Sequence, residues 1–442
     1  MRDDKTASTG KRASDLAASG RMNHKGEFVN MKSVTILAAA AAFAIVGASA
    51  ANAGCGLSGG NVNILGNDFA AIHAVVEGAK TCAGDGVTVE ANLTAEHDKI
   101  KVAAFTADPA QYTTAHVATS SIVPLLSAGL IRPLDDLVAK HGQGLKPTQL
   151  IKVDGKTMAI AFMSNAQHLF YRKDLLAKAG IEPPKTYEEV LAAARKLKED
   201  GILEHPFAMN TKAGWNLGEE FVNMYNGTGA SFFKDGTAEV AINNENGIKT
   251  LNMLKELMAY SSPDFLTFDS NASAAEWEAG NLALATLWGS RGGPILDNEG
   301  STEEITSNTV LTGAPTAFGG STPATTLWWD GFVIAKNISD QDAEASFVAM
   351  MQGITPEVIK AHSADAVWLG EGYTPTPASA GVIASAQAGA KPYPMLPYMS
   401  LLHTALGDNL AQFLQGSETA EQALADVEAA YTTAAKEAGF LK

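Results

Sequence analysis

The sequence predicts an α/β protein folded as two lobes. Two observations carry this expectation. Segments with strand and helix periodicity alternate from about residue 60 onward, which points to sheets covered by helices. The chain has 442 residues, more than a single hydrophobic core organises. Hydrophobic residues make up 46% and charged residues 18%, a globular composition rather than a disordered or fibrous one. No internal repeat and no long low-complexity linker interrupts the chain.

The first thirty residues are polar and of mixed charge. Met31-Lys32-Ser33 then leads into the apolar run Ile36–Val46 and the small residues Gly47–Ala53. A basic start, a short apolar core and an A-x-A ending form a secretory signal, with cleavage expected after Ala53 and Ala50 as the second choice. The apolar core is too short for a membrane-spanning helix. Residues 1–30 have no place in such a signal; they read either as an over-extended reading frame starting before Met31 or as a disordered extension.

The formal net charge is -16, and residues 1–53 carry +3 of it, so the exported part stands at -19. Such a chain is repelled by phosphate backbones and anionic headgroups, so nucleic acid and membrane surfaces are poor partners. The two cysteines, Cys55 and Cys82, both fall in the exported part. In an oxidising compartment they are expected to pair. The bridge would tie the N-terminus to the end of the first helix and contribute about 3–4 kcal/mol. Cys55 also raises the alternative of a lipid anchor, but Asn52 stands where a lipoprotein signal has an apolar residue. The expected location is the periplasm. There is no C-x-x-C or H-E-x-x-H, and the nine His have no ligand spacing, so no metal or cofactor is expected.

Along the chain, Val62–Gly66 reads as a strand, Asn67-Asp68 as a cap, and Phe69–Lys80 as a helix. Val87–Ala91 is a second strand, parallel to the first. Ile122–Leu137 reads as a helix and its exit. Val153-Asp154-Gly155-Lys156 is a hairpin turn into the apolar strand Met158–Phe162. Thr186 and Glu189 form a capping box for a helix running through Leu191, Ala194 and Leu197. A helix ends over Ala274–Asn281, the strand Leu282–Thr286 follows, and Glu418–Phe440 is an Ala-rich helix.

Five segments, whose order along the chain is that of the family, resemble a known family; the strongest comes first. They are Asp154-Gly155-Lys156 through Asn165, continuing over Tyr171-Arg172-Lys173-Asp174-Leu175-Leu176, Ala179-Gly180-Ile181 and Pro183–Glu189; Gly129–Leu137; Trp277–Gly289; Trp329–Lys336; and Leu414-Gln415-Gly416 with Glu418, Glu421 and Ala423-Leu424. Together they are similar to the ABC-transporter extracellular solute-binding proteins of family 1, the sugar-binding, maltose-binding-protein-like group. The resemblance implies a two-lobed periplasmic-binding-protein fold, with mixed sheets flanked by helices and a hinge between lobes. It implies an N-lobe of 54–164 plus 329–375 and a C-lobe of 165–328 plus 376–442. Two places depart from the family pattern: Trp329-Asp330 replaces Gly-Trp, and Ala115-His116 replaces Pro-Asp.

In such a fold the ligand lies in the cleft, which closes by hinge motion. Hydroxyls need polar partners, and a sugar's C–H face needs an aromatic platform. The strand-exit rule selects Asn67 and Asp68 after the first strand (cap or cleft), Glu96 with His97 after the second, and Ser120 in Thr119-Ser120-Ser121, which opens a helix. The family's lobe crossing brings Asn165 and Gln167 to the cleft. Asn216 lies beside Trp215. Arg291 suits vicinal hydroxyls or a carboxylate, and Asp330 at a second crossing suits paired hydroxyls. Trp277 is expected in the core, whereas Trp215, Trp288, Trp329 and Trp368 fit cleft or core equally. Glu371 and Tyr373 are weaker candidates.

The expected function is capture of a sugar or sugar-like solute for delivery to an ABC-transporter membrane permease, by a monomer without catalytic residues. A polyamine or other small polar solute on the same fold is the alternative. An exported glycoside hydrolase is a third reading; no G-x-S-x-G is present.

Overall fold

The computed structural model describes residues 55–84 and 86–442. The proposed signal over 31–53 and the segment before it lie outside the described residues.

Among the described residues twelve strands form two sheets: β1 (Gly60–Gly66), β2 (Val87–Leu93), β3 (Thr114–Ala118), β4 (Leu150–Val153), β5 (Lys156–Asn165), β6 (Gln167–Arg172), β7 (Phe207–Ala208), β8 (Leu284–Trp288), β9 (Thr309–Thr312), β10 (Thr326–Ile334), β11 (Val367–Trp368) and β12 (Lys391–Pro392). The large sheet has the order β11-β5-β10-β3-β1-β2, with β12 on β10 and β4 on β5; the small sheet runs β7-β8-β6-β9. β1 pairs in parallel with β2 and β3, whereas β10 runs antiparallel to β3 and β5. Both sheets are mixed, as expected.

Each sheet is covered on both faces, and the two-residue period of a strand explains how. In β10, Phe332 and Ile334 join the core with Ile72, Val75 and Phe347, while Val333, and Ala335 just past the strand, join Leu65, Phe105 and Ile122 on the other face. In β6, Leu169 faces the largest core and Phe170 faces Trp277 and Ile295. Trp277 is 1% exposed and donates its indole N–H to Thr309 Oγ1, a core residue as expected. The largest core also holds Leu402, Leu406, Val427 and Tyr431 of the C-terminal helices Met399–Asn409 and Ala420–Glu437.

The local expectations hold with corrections. The first helix is Ala70–Lys80, capped by the backbone of Phe69 with no side-chain cap, so Asn67 and Asp68 do not cap it. Asn67 instead accepts the Asp68 N–H. The helix expected from Ile122 is Ile122–Ser127, followed by its exit, but a separate helix, Asp135–His141, begins inside that exit. The hairpin is real. Asp154 and Gly155 both have positive φ, the requirement of the turn that matches strand twist. The strand after it is longer than expected, running to Asn165. Thr186 Oγ1 accepts the Glu189 N–H at 3.1 Å, but Glu189 reaches back to the N–H of Lys185, one residue earlier than in a capping box. The helix near 274 ends at Glu278, and its following strand is Leu284–Trp288, two residues later than expected. Cys55 and Cys82 are disulfide-bonded, which ties the start of the described chain to the end of the first helix.

The chain passes between the sheets more than once. Only Ala166 separates β5 of the large sheet from β6 of the small one. It returns between β9 and β10. After β11 it leaves again, for a helix (Ala380–Gln387) that packs on β6 and β9.

Candidate functional site

The crossing strands assemble the site. In register, Trp328 of β10 stands opposite Asn165, and Trp288 of β8 stands opposite Gln167. Two indoles therefore arrive where the chain changes sheets. A third comes from Trp215, the first residue of the helix Trp215–Asn226. Trp215 and Trp288 lie 6.3 Å apart with planes 27° from parallel, and both present themselves to Trp328 nearly edge-on, at 5.7 and 5.8 Å. Trp288 and Trp328 are 8% and 5% exposed, but Trp215 is 44% exposed. The cluster is anchored beneath and open at one ring, the form of a stacking platform.

Polar groups surround the crossing. Asn165 Oδ1 accepts the N–H groups of Ala166 and Ser290, and its Nδ2 donates to Ser290 Oγ. Asn165 thereby clamps the turn after β8 to the crossing. Gln167 is buried, and its Nε2 has no partner among the described residues. Arg291 follows Ser290, and its guanidinium lies 5.8 Å over the ring of Phe69, which follows Asn67-Asp68 at the exit of β1. The exits of β8 and β1 therefore meet through a cation–π contact. Burial lowers the guanidinium's pKa from its ordinary value, against the opposing pull of Asp269 and Asp68, and its Nε is buried without a partner among the described residues. Asp269 itself is paired with Lys212 at 3.1 Å.

On the large-sheet side, the two departures from the family pattern touch. His116 Nε2 donates to Asp330 Oδ1 at 2.9 Å, and both side chains are buried. The hydrogen bond meets the partner requirement of a buried carboxylate. The His97 ring lies 5.3 Å from that of His116, tilted by 41°, and burial pushes its pKa down to about 3 despite the adjacent Asp98. Trp329 is half-buried; its backbone N–H donates to Thr119 Oγ1 at 3.0 Å.

The candidates thus divide. Asn165, Gln167, Trp215 and Trp288 gather at the crossing with Asn216 half-buried beside Trp215. Arg291 meets the Asn67-Asp68 exit, where Asp68 is exposed and paired with His73. Trp329 and Asp330 lie on β10 next to the exit of β3. Ser120 is half-buried, and it is Ser121 whose hydroxyl takes the Ala118 N–H. Glu96 is not brought in: it faces solvent and pairs with Lys99, while its neighbour His97 is the buried one. Trp368 is 3% exposed against Phe162, a core residue. Sequence reasoning passed over Trp328 and the group below the platform, Glu219, Tyr393 and His403. Two adjacent tryptophans in one strand were the signal for Trp328, since neighbours in a strand face opposite sides. Two surface hollows of about 670 and 460 Å³, one around Thr237, Tyr398 and Phe440 and one around Pro183 and Glu189, lie apart from all these residues. Among the described residues there is no cluster of His, Cys, Asp or Glu that would hold a metal ion, and no helix is long and apolar enough to cross a membrane.

Comparison with known proteins agrees with this architecture. The model of the family described as bacterial extracellular solute-binding protein matches residues 63–354. A probable ABC transporter-binding protein of Deinococcus radiodurans is 26% identical over 209 residues, 46% of this chain and 48% of that protein. An sn-glycerol-3-phosphate-binding periplasmic protein of Agrobacterium fabrum is 31% identical over 111 residues, 23% of this chain and 25% of that protein. The chain therefore matches about half or less of the length of these relatives. Among solved structures, maltose-bound MalE3 of T. maritima superposes with a TM-score of 0.74 at 17% identity, covering 84% of this chain and 99% of that one. A solute-binding protein of Agrobacterium radiobacter in complex with ribitol gives 0.74 at 20% identity, covering 84% and 98%. One from Agrobacterium vitis with bound D-mannitol gives 0.72 at 20% identity, covering 86% and 100%. At these identities the likeness establishes the fold.

Proposed function

The chain belongs to the bacterial extracellular solute-binding proteins, and from that premise we propose that it is the receptor of an ABC importer, capturing a sugar or polyol between two lobes and handing it to a membrane permease. The moving bodies are 54–164 plus 329–375 and 165–328 plus 376–442, the protein works as an exported monomer, and the ligand leaves unchanged. The observation that carries this reading is the platform of Trp215, Trp288 and Trp328 at the strand crossing. An apolar ring face there can take the C–H face of a sugar. Asn165, Gln167 and Asp330 are the hydroxyl partners, and Arg291 reaches across to the β1 exit. A ligand that touches both bodies favours the closed state by its differential affinity.

The neighbours named for maltose, ribitol and D-mannitol support an uncharged polyhydroxyl ligand. So does the electrostatics at Arg291, whose positive charge is already opposed by Asp68 and Asp269; a phosphorylated solute would meet those carboxylates too.

The test is a thermal-shift screen of the exported chain against sugars, polyols and polyamines. A true ligand at 100 times its Kd stabilises by about 2.7 kcal/mol. A shift with polyamines alone, or chemical conversion of a sugar by the purified protein, overturns the reading.

A further inference from the structure

The helix Trp215–Asn226 places Trp215, Glu219 and Asn223 at four-residue spacing, on one face. Trp215 stands at the platform, and one turn below it Glu219 is wholly buried. Glu219 Oε1 accepts the indole N–H of Trp328 at 3.1 Å and the hydroxyl of Thr326 at 2.8 Å. Its Oε2 is buried with no hydrogen bond among the described residues, 3.9 Å from His403 Nδ1. His403 is committed elsewhere: its Nε2 donates to the backbone carbonyl of Trp215, its Nδ1 accepts the Tyr393 hydroxyl, and its ring stacks on Trp215 at 4.7 Å. One carboxyl thus touches one platform ring directly and abuts the histidine that seats another.

The groups facing Glu219 are Trp328 and Thr326 from β10, His403 and Tyr393 from the C-terminal segment, and Asn223 and Glu220 from its own helix. No cation is among them. Burial holds His403 down to about 4 and pushes the Tyr393 hydroxyl and the Glu220 carboxyl well above their ordinary values. Burial also raises Glu219, to about 8, although Thr326, Trp328 and Asn223 pull it back. Near neutral pH Glu219 and His403 are therefore uncharged. An anion on Glu219 would have no counter-charge, and a buried unpaired charge is costly. The Trp328 N–H is shared between Glu219 Oε1 at 3.1 Å and Thr326 Oγ1 at 2.8 Å, and the Thr326 hydroxyl in turn donates to Glu219. Relief comes from admitting water or turning the carboxylate outward, and either move takes one acceptor from the Trp328 N–H and frees the Thr326 hydroxyl that is the other.

We propose that Glu219 is a positioning residue of the ligand site: its protonated carboxyl holds Trp328 and, through it, the Trp215–Trp288 pair in stacking position, and its ionisation loosens the platform, so ligand affinity falls in mild alkali. This rests on the platform being the ligand site. The same linkage makes folding stability fall as pH rises from about 4.5, where an unfolded glutamate ionises, to about 8.

Two arms test it. Without ligand, intrinsic tryptophan fluorescence of the wild type between pH 6.5 and 9.5 changes with a midpoint near 8, and Glu219→Gln removes that transition. With maltose, ribitol and D-mannitol as probes, the wild-type Kd for whichever binds rises about tenfold between pH 7 and 9, because the competent fraction shrinks. In Glu219→Gln the ratio of the two Kd values stays near one. A flat wild-type fluorescence profile overturns the proposal, even if the variant fails to fold. So does an unchanged transition in the variant. Absence of binding by every probe, with the fluorescence transition intact, counts against the platform as the sugar site and not against the Glu219 linkage.

Discussion

Single side chains in this protein separate by what they anchor. Trp215 is the exposed member of the platform, whereas Trp288 and Trp328 are sealed beneath it. Trp215→Ala is therefore expected to leave folding stability within about 1 kcal/mol of the parent and to weaken sugar binding at least tenfold. Denaturant unfolding and calorimetric titration check the two halves, and a binding loss matched by an equal stability loss would make the residue structural. The residue scale also marks where sequence reading stopped. His116 and Asp330 were both visible as departures from the family pattern. Their hydrogen bond was not, because 214 positions separate them and only the antiparallel register of β3 and β10 brings them together. Glu219 gave no signal at all: a glutamate one turn after a tryptophan reads as a solvated helix face, and only packing shows that it is buried.

Elements were far more legible, since their signals are local. The β4–β5 turn follows from Asp154-Gly155, whose positive φ angles the sequence pair tolerates. The helix Tyr187–Glu199 follows from Thr186 and a five-residue Pro-Pro-x-Thr-Tyr start. Thr186→Ala is expected to cost about 1 kcal/mol, read from the denaturation midpoint, because the Glu189 N–H loses its acceptor. The contribution of Glu189 itself goes to the Lys185 N–H, outside the helix. Errors at this scale are errors of boundary. The first helix starts at Ala70 with no side-chain cap because Asn67 spends its oxygen on the Asp68 N–H, and Asp68 spends its own on His73. The span Ile122–Leu137 is a helix and its exit as read, but the exit carries the pairing of Ile131 with Ala335 and, after Pro133, the start of a second helix that apolar spacing did not mark.

For the whole molecule, the disulfide between Cys55 and Cys82 encloses a 27-residue separation. Its reduction, or replacement of both cysteines by Ala, is expected to lower the unfolding free energy by about 3–4 kcal/mol; a reduced protein with an unchanged denaturation midpoint would refute that. By itself the sequence determined the α/β alternation and the family, because these depend on periodicity, turn chemistry and motif order within short windows. Only the tertiary structure decided that Trp328 joins Trp215 and Trp288, that Arg291 meets Phe69, that Glu96 stays outside, and that Glu219 lies buried under the platform. Those facts arise from sheet register and packing between segments a hundred or more residues apart, and burial, which sets the charge state of such groups, is a property of the assembled surroundings and not of any stretch of chain.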